Sequence, residues 1–195
     1  GINDNGTGVA LVLELARQVA SLGVEPVNKL RFAFWGGEEY GLLGSIDYVL
    51  EGSESGELSN VLANLNYDMV GSPNPGRFIY DGDGSSTGAA GPAGSDVIEF
   101  MYEAWFDEKS LRYAATAFDG RSDYGAFIYF NIPAGGLFTG AEGIKGANEA
   151  SIFGGTEDVA FDACYHQACD TIDNVDRLVF EEMAGAAAFA MIETA

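Results

Sequence analysis

Residues Lys29 to Leu50, KLRFAFWGGEEYGLLGSIDYVL, decide how this chain folds. Leu30, Phe32 and Phe34 recur at every second position, which is the period of a strand, and the run closes on Trp35. Gly36 and Gly37 break that pattern, and GLLGSIDYVL beyond them reads as a helix. Strand, turn and helix in succession form half of a βα unit. At its turn sit two adjacent acids, Glu38 and Glu39. Neighbouring side chains on an extended segment point to opposite sides, so these carboxylates are either two solvated charges or two parts with different tasks.

The alternation continues in both directions. TGVALVLELARQVASLG (7–23) carries a dense apolar stripe between the cap candidate Thr7 and the terminator Gly23, and reads as a helix. VLANLNYDMV (61–70) reads as a buried strand ending near Asp68, and RFIYDGD (77–83) as another. SDVIEFMYEAWFDE (95–108) is helical, LRYAATAF (111–118) extended, SDYGAFIYF (122–130) a short helix and IPAGGLFT (132–139) a strand. Residues 176–194 form a closing helix. The expectation is an α/β fold, a three-layer sandwich with a mostly parallel central sheet flanked by helices, built as a single domain over 1–195. Two glycine-rich stretches, 81–95 and 139–171, are expected to be long irregular loops, a type that carries function more often than ornament.

Composition narrows the function classes. A chain of 195 residues, 47% hydrophobic, can bury a core. It has no apolar run of about 18 residues, the length that would cross a membrane. Thirty acids oppose nine bases, for a net charge of -21, so nucleic acid and anionic membrane surfaces are repelled. Such a balance makes a self-repelling soluble surface, or one adapted to salt, where counterions screen the acids. Cys164 and Cys169 flank the single histidine, His166, in CYHQAC. They either remain reduced thiols or form a disulfide contributing about 2 kcal/mol in the chain-entropy model. An oxidising compartment favours the second.

In open α/β folds ligands bind beyond the carboxyl ends of the parallel strands. Glu38 and Glu39 follow one strand, Asp68 ends another, Asp4 precedes the first helix, and His166 sits in the cysteine-flanked loop. Four acids and one imidazole can thus converge on one rim. Packed carboxylates resist ionising together unless a cation compensates them, and oxygen and nitrogen donors without thiolates suit zinc, manganese or a similar divalent ion. Singly, each residue has an ordinary reading: a solvated pair, a turn residue, a strand end, a satisfied histidine.

Five segments in one order, GINDNGTG (1–8), FAFWGGEEYGLLGS (32–45), NLNYDMVGSPN (64–74), GRSDYGAF (120–127) and YHQACDT (165–171), closely resemble the secreted zinc aminopeptidases of metallopeptidase family 28. The resemblance implies a two-zinc exopeptidase that removes N-terminal residues from peptides with a free N-terminus, often large apolar ones. It implies that Asp4 bridges the two zincs, that Glu39 and His166 complete one of them and that Asp68 binds the other. Glu38 matches the general base, which takes a proton from metal-bound water and passes it to the leaving amine. Tyr165 matches a stabiliser of the tetrahedral oxyanion, Arg121 a residue near the substrate amine, and Met69 and Phe138 the apolar side-chain pocket.

The family's further histidine ligand, in an HxD motif upstream of the bridging aspartate, has no counterpart here. One or two zinc ions are therefore expected, together with missing N-terminal strands and an exposed sheet edge. Two other readings compete: a one-zinc relative of the glutaminyl cyclases, which use an Asp, Glu, His set, and a metal-binding chain without turnover. The charge balance predicts that stability or activity changes between low salt and molar NaCl in a thermal melt or rate assay; a flat response rules out salt adaptation.

Overall fold

A computed structural model describes residues 1–23 and 25–195. Four strands form one sheet: β1 (Asn64–Tyr67), β2 (Phe78–Tyr80), β3 (Ala114–Thr116) and β4 (Ala134–Phe138), in the order β1-β4-β2-β3. β1 runs parallel to β4 and β2 parallel to β3, while β2 and β4 are antiparallel. The sheet is mixed, with two parallel pairings of three.

Helices cover both faces. α1 (Gly8–Leu22), α3 (Ser95–Glu108) and α6 (Arg177–Thr194) pack on one side, where Leu11, Ile98, Tyr102, Met183 and Val179 meet Tyr67, Ile79 and Leu137 of the strands. α2 (Leu43–Ser55) and α4 (Tyr124–Tyr129) form a smaller cluster with Val49, Phe127 and Ile132. Period-two alternation sorts the strand residues: Ile79 joins the first cluster, whereas Tyr80, its neighbour, packs with Tyr124 of α4. Gly135 lets α3 approach the sheet, since a Cβ there would stand 2.3 Å from Ile98 Cγ2. At the start of α1, a Cβ on Gly8 would stand 2.2 Å from the Tyr67 carbonyl oxygen, so only glycine lets that helix abut β1.

Three expectations are corrected. Residues 29–35 form no strand and join no ladder; a groove of about 950 Å³ lies between them and β1. Residues 29–35 all line that groove, and none of them pairs with another strand among the described residues, so period two alone does not make a strand. Thr7 does not cap α1 with its side chain. Its hydroxyl donates to the Asn3 carbonyl (2.7 Å) and accepts from Val70 N–H (3.2 Å), tying the segment before α1 to the end of β1. The loop 139–171 is not wholly irregular: Ala147–Phe153 forms a short helix, α5, whose Glu149 carboxylate accepts from Gly146 N–H at 2.7 Å.

Deep in the larger core the hydroxyls of Tyr67 and Tyr102 share a hydrogen bond of 2.9 Å, and burial pushes both phenols well above their ordinary range. Tyr102→Phe leaves a buried hydroxyl without a partner and is expected to cost about 1–3 kcal/mol. The double substitution Tyr67→Phe with Tyr102→Phe removes both groups and should recover most of that loss in denaturant melts.

Candidate active site

The segment Ile2–Thr7 is an irregular turn that leads into α1 and presents Asp4 beside the carboxyl end of β1. Its path is set by Asn3 and Asn5. Asn3 accepts from Gly71 N–H (3.2 Å) and donates to Ser72 Oγ (3.2 Å) and Asp162 (2.7 Å). Asn5 donates to the Tyr67 carbonyl (3.1 Å) and accepts from Gly8 N–H (3.0 Å) and Met69 N–H (3.2 Å). Both amides therefore clamp the turn onto residues 67–72, which carry Asp68. Asp170 completes the clamp, accepting from Asn3 N–H (2.8 Å) and Asp4 N–H (3.0 Å). Burial alone would push its carboxyl up, but those N–H groups, together with the Asn174 amide and the N-terminal charge, hold it below the ordinary range.

The acid doublet occupies a short turn, Glu38–Tyr40, between left-handed Gly37 and Gly41. Glu39 turns to the imidazole: His166 Nε2 lies 2.9 Å from Glu39 Oε1 and 3.0 Å from Asp4 Oδ2. Asp4, Glu39 and His166 each offer one donor atom, all within 4.8 Å of one another. His166 is held in a left-handed conformation (φ 56°) inside the loop closed by the Cys164–Cys169 disulfide, and its ring stacks on Tyr165 at 3.8 Å. Asp68 stands outside this trio. Its Oδ2 accepts from Ser122 Oγ (2.6 Å), and its Oδ1 is buried without a hydrogen-bond partner among the described residues.

Glu38, the other half of the doublet, is half-buried. Burial, then the charges of Asp68, Glu39, Asp123 and Asp4, push its carboxyl up to about 7. Asp68 is likewise pushed up to about 7, chiefly by burial, and Asp4 to about 6, by burial and then by Glu39. So many carboxylates in one hollow resist ionising together, which is the condition a divalent cation relieves. A buried acceptor with no donor, three clustered oxygen and nitrogen donors and no thiolate fit a metal such as zinc.

A cavity of about 310 Å³ opens beside these donors. Asp4, Glu38, Glu39, Asp68, Met69, Arg121, Phe138 and Tyr165 all line it, so every residue singled out in the sequence, apart from His166 and the cysteines, faces one hollow. Tyr80, buried below it, was not foreseen. Arg121 donates to the Tyr165 hydroxyl (3.3 Å) and to Glu142 (2.9 Å). Asp170, Asn3, Asn5 and Ser122 also escaped the sequence reading. The one available signal was the Asn on each side of Asp4.

Residues 1–191 match the sequence model of Peptidase family M28. The chain is 49% identical over 177 residues to leucine aminopeptidase 2 of Arthroderma otae, covering 91% of this chain and 35% of that protein. It is 49% identical over 189 residues to an aminopeptidase of Pseudomonas aeruginosa, covering 97% and 35%. This chain therefore spans about a third of the length of these curated relatives. A zinc aminopeptidase from Bacillus subtilis superposes with a TM-score of 0.75 at 26% identity, covering 99% of this chain and 42% of that one.

Asp170→Asn replaces an acceptor by an N–H donor at one of the two backbone amides it serves. Metal affinity, read by competition with a chromogenic chelator, is expected to fall about 10- to 100-fold, as for other partners that orient ligands.

Proposed function

The chain belongs to Peptidase family M28, and on that premise we propose that it hydrolyses the N-terminal peptide bond of peptides, with zinc as its metal and Glu38 as its base. The observation that supports this best is the division within the doublet: Glu39 meets Asp4 and His166 at the donor trio, while Glu38 faces the cavity free of that cluster. Asp4, Glu39 and His166 would hold one ion, and Asp4 with Asp68 would contribute to a second. A bound zinc supplies Lewis acidity and lowers the pKa of water to about 7.

The protein's own groups then have distinct tasks. Glu38 takes a proton from the attacking water and delivers it to the leaving amine; its half-buried setting suits a group that must both accept and release a proton. The Tyr165 hydroxyl, oriented by Arg121, donates to the oxyanion that develops on the scissile carbonyl. Arg121 also keeps its place near the substrate amine in this reading. Met69 and Phe138 receive the apolar side chain of the terminal residue. A cavity at the small end of ligand-site volumes suits trimming one residue at a time. We read residues 1–195 as one catalytic unit, and the disulfide, with the secreted type of family that the motifs resemble, as marks of an extracellular setting. No helix among the described residues is long and apolar enough to cross a membrane.

The Asp4, Glu39, His166 trio also favours a second reading, a one-metal cyclase acting on N-terminal glutamine. Elemental analysis and two assays separate them. The peptidase reading expects release of leucine from a leucyl chromogenic substrate, loss of that release on chelation and its return with added zinc. Glu38→Gln is expected to lower kcat by about 10²–10⁴ while leaving zinc content unchanged. Cyclisation of a glutaminyl peptide without release of leucine, or full activity of Glu38→Gln, overturns the proposal.

A further inference from the structure

The glycine-rich loop that follows β2 has no part in the chemistry above, yet it carries a second set of acids. Asp81, Asp83 and, from α3, Glu99 each offer an oxygen, all within 4.8 Å of one another. Asp81 and Glu99 are buried, at 0% and 4% exposure. In the run Asp81-Gly82-Asp83-Gly84-Ser85 oxygen-bearing residues alternate with glycines, which lets the chain wrap tightly around one point.

The hydrogen bonds take up one oxygen of each carboxylate. Asp81 Oδ2 accepts from Ser86 N–H (3.2 Å), Thr87 N–H (2.6 Å) and Thr87 Oγ1 (2.6 Å). Asp83 Oδ1 accepts from Ser85 N–H (2.8 Å), and Glu99 Oε2 from Asp83 N–H (3.1 Å). The loop is thereby shaped, and a second oxygen on each acid is left over. Asp81 Oδ1 is the telling one: it is fully buried and has no hydrogen-bond partner among the described residues. Burying an acceptor without a donor is costly, and buried carboxylates are ordinarily paired or bound to a metal.

Among the described residues, no basic group figures in the charges that act on Glu99 or Glu103. Burial, and then the charges of Asp83, Asp81 and Glu103, all push the Glu99 carboxyl up, against the one Asp83 N–H that pulls it down. Glu103, one turn further along α3, is pushed up by burial and then by Asp107, Asp83 and Asp81.

We propose that Asp81, Asp83 and Glu99 form a structural calcium site, separate from the zinc-type centre. The donor set contains only oxygen, with no imidazole or thiolate, which disfavours zinc. An irregular loop facing a helix suits calcium, which accepts six to eight oxygens in loose geometry, better than magnesium, which demands a near-ideal octahedron. None of the three acids lines the catalytic cavity, but Tyr80, adjacent to Asp81, does. Calcium here would anchor the end of β2 and hold Tyr80 against Phe118 and Tyr124, whose rings lie 5.2 and 4.6 Å away. This inference does not depend on the peptidase reading.

The test uses the protein as purified, in about 0.15 M NaCl, which screens diffuse attraction to the acidic surface. Calcium alone is added, and binding is followed by calorimetry and by calcium content after gel filtration. The expected result is one retained calcium per chain and a thermal midpoint that rises with calcium but not with equal magnesium. Asp83→Asn keeps an oxygen for Ser85 N–H, and Glu99→Gln keeps one for Asp83 N–H, so both preserve the loop. Each is expected to weaken calcium binding at least about tenfold, the scale of losing an ion's supporting group. Each should also abolish the calcium-dependent rise, and Asp83→Asn, relieved of repulsion, should melt no lower than the parent when calcium is absent. Absence of retained calcium in the parent, or variants that bind calcium as the parent does, overturns the site.

Discussion

The clamp that Asn3, Asn5 and Asp170 place on the turn around Asp4 is the constraint on which the candidate site depends. Asp4 must stand close to Glu39 and Asp68, although every charge among them opposes the approach. Eight hydrogen bonds from those three side chains fix the turn, joining it to residues 67–72, to Asp162, to Asp170 and to the start of α1. Each such bond contributes about 0.5–1.5 kcal/mol net, and more where a carboxylate accepts, against that repulsion. The same bonds join the start of α1 to the end of β1, so the packing that builds the core and the geometry that gathers the acids are one arrangement. Gly8 makes it possible by letting the helix begin against the Tyr67 carbonyl.

Around this fixed centre the remaining groups are brought in by short-range devices. Left-handed Gly37 and Gly41 bracket the doublet, so Glu38 and Glu39 leave a single tight turn in different directions. The Cys164–Cys169 bridge closes a loop whose left-handed His166 presents Nε2 to Asp4 and Glu39. Met69 is also left-handed (φ 53°), directly after Asp68. Non-glycine residues rarely adopt that conformation, and here it occurs at His166 itself and directly beside Asp68. Membership of Peptidase family M28 accords with these features.

Much of this was legible in the chain. The four strands of the sheet, α1, α2, α3, α4 and α6 lie where apolar period and glycine punctuation place them. Eight of the site residues named from motifs share one cavity. The failures share a cause, dependence on a partner distant in sequence. Residues 29–35 have the period of a strand, yet a strand exists only where another backbone pairs with it. Thr7 has the chemistry of a cap, but Val70 N–H, brought near by β1, claims its hydroxyl instead. Asp170 carries no local mark of its role, since nothing near it in the chain reveals that two amides from the first residues reach it.

Residue chemistry and spacing alone determined the α/β layering, the pairing of Cys164 with Cys169 as a possibility, and the candidate donors Asp4, Glu38, Glu39, Asp68 and His166, because these rest on local period and side-chain type. Tertiary structure alone decided which oxygen meets which neighbour: that Glu39 joins His166 while Glu38 stays outside the donor trio, that Asp68 keeps an unpartnered oxygen, and that Asp81, Asp83 and Glu99 converge across a loop and a helix. The physical reason is range. Periodicity and turn chemistry act within a few residues, whereas desolvation and charge repulsion are set by groups that only folding brings within a few ångströms.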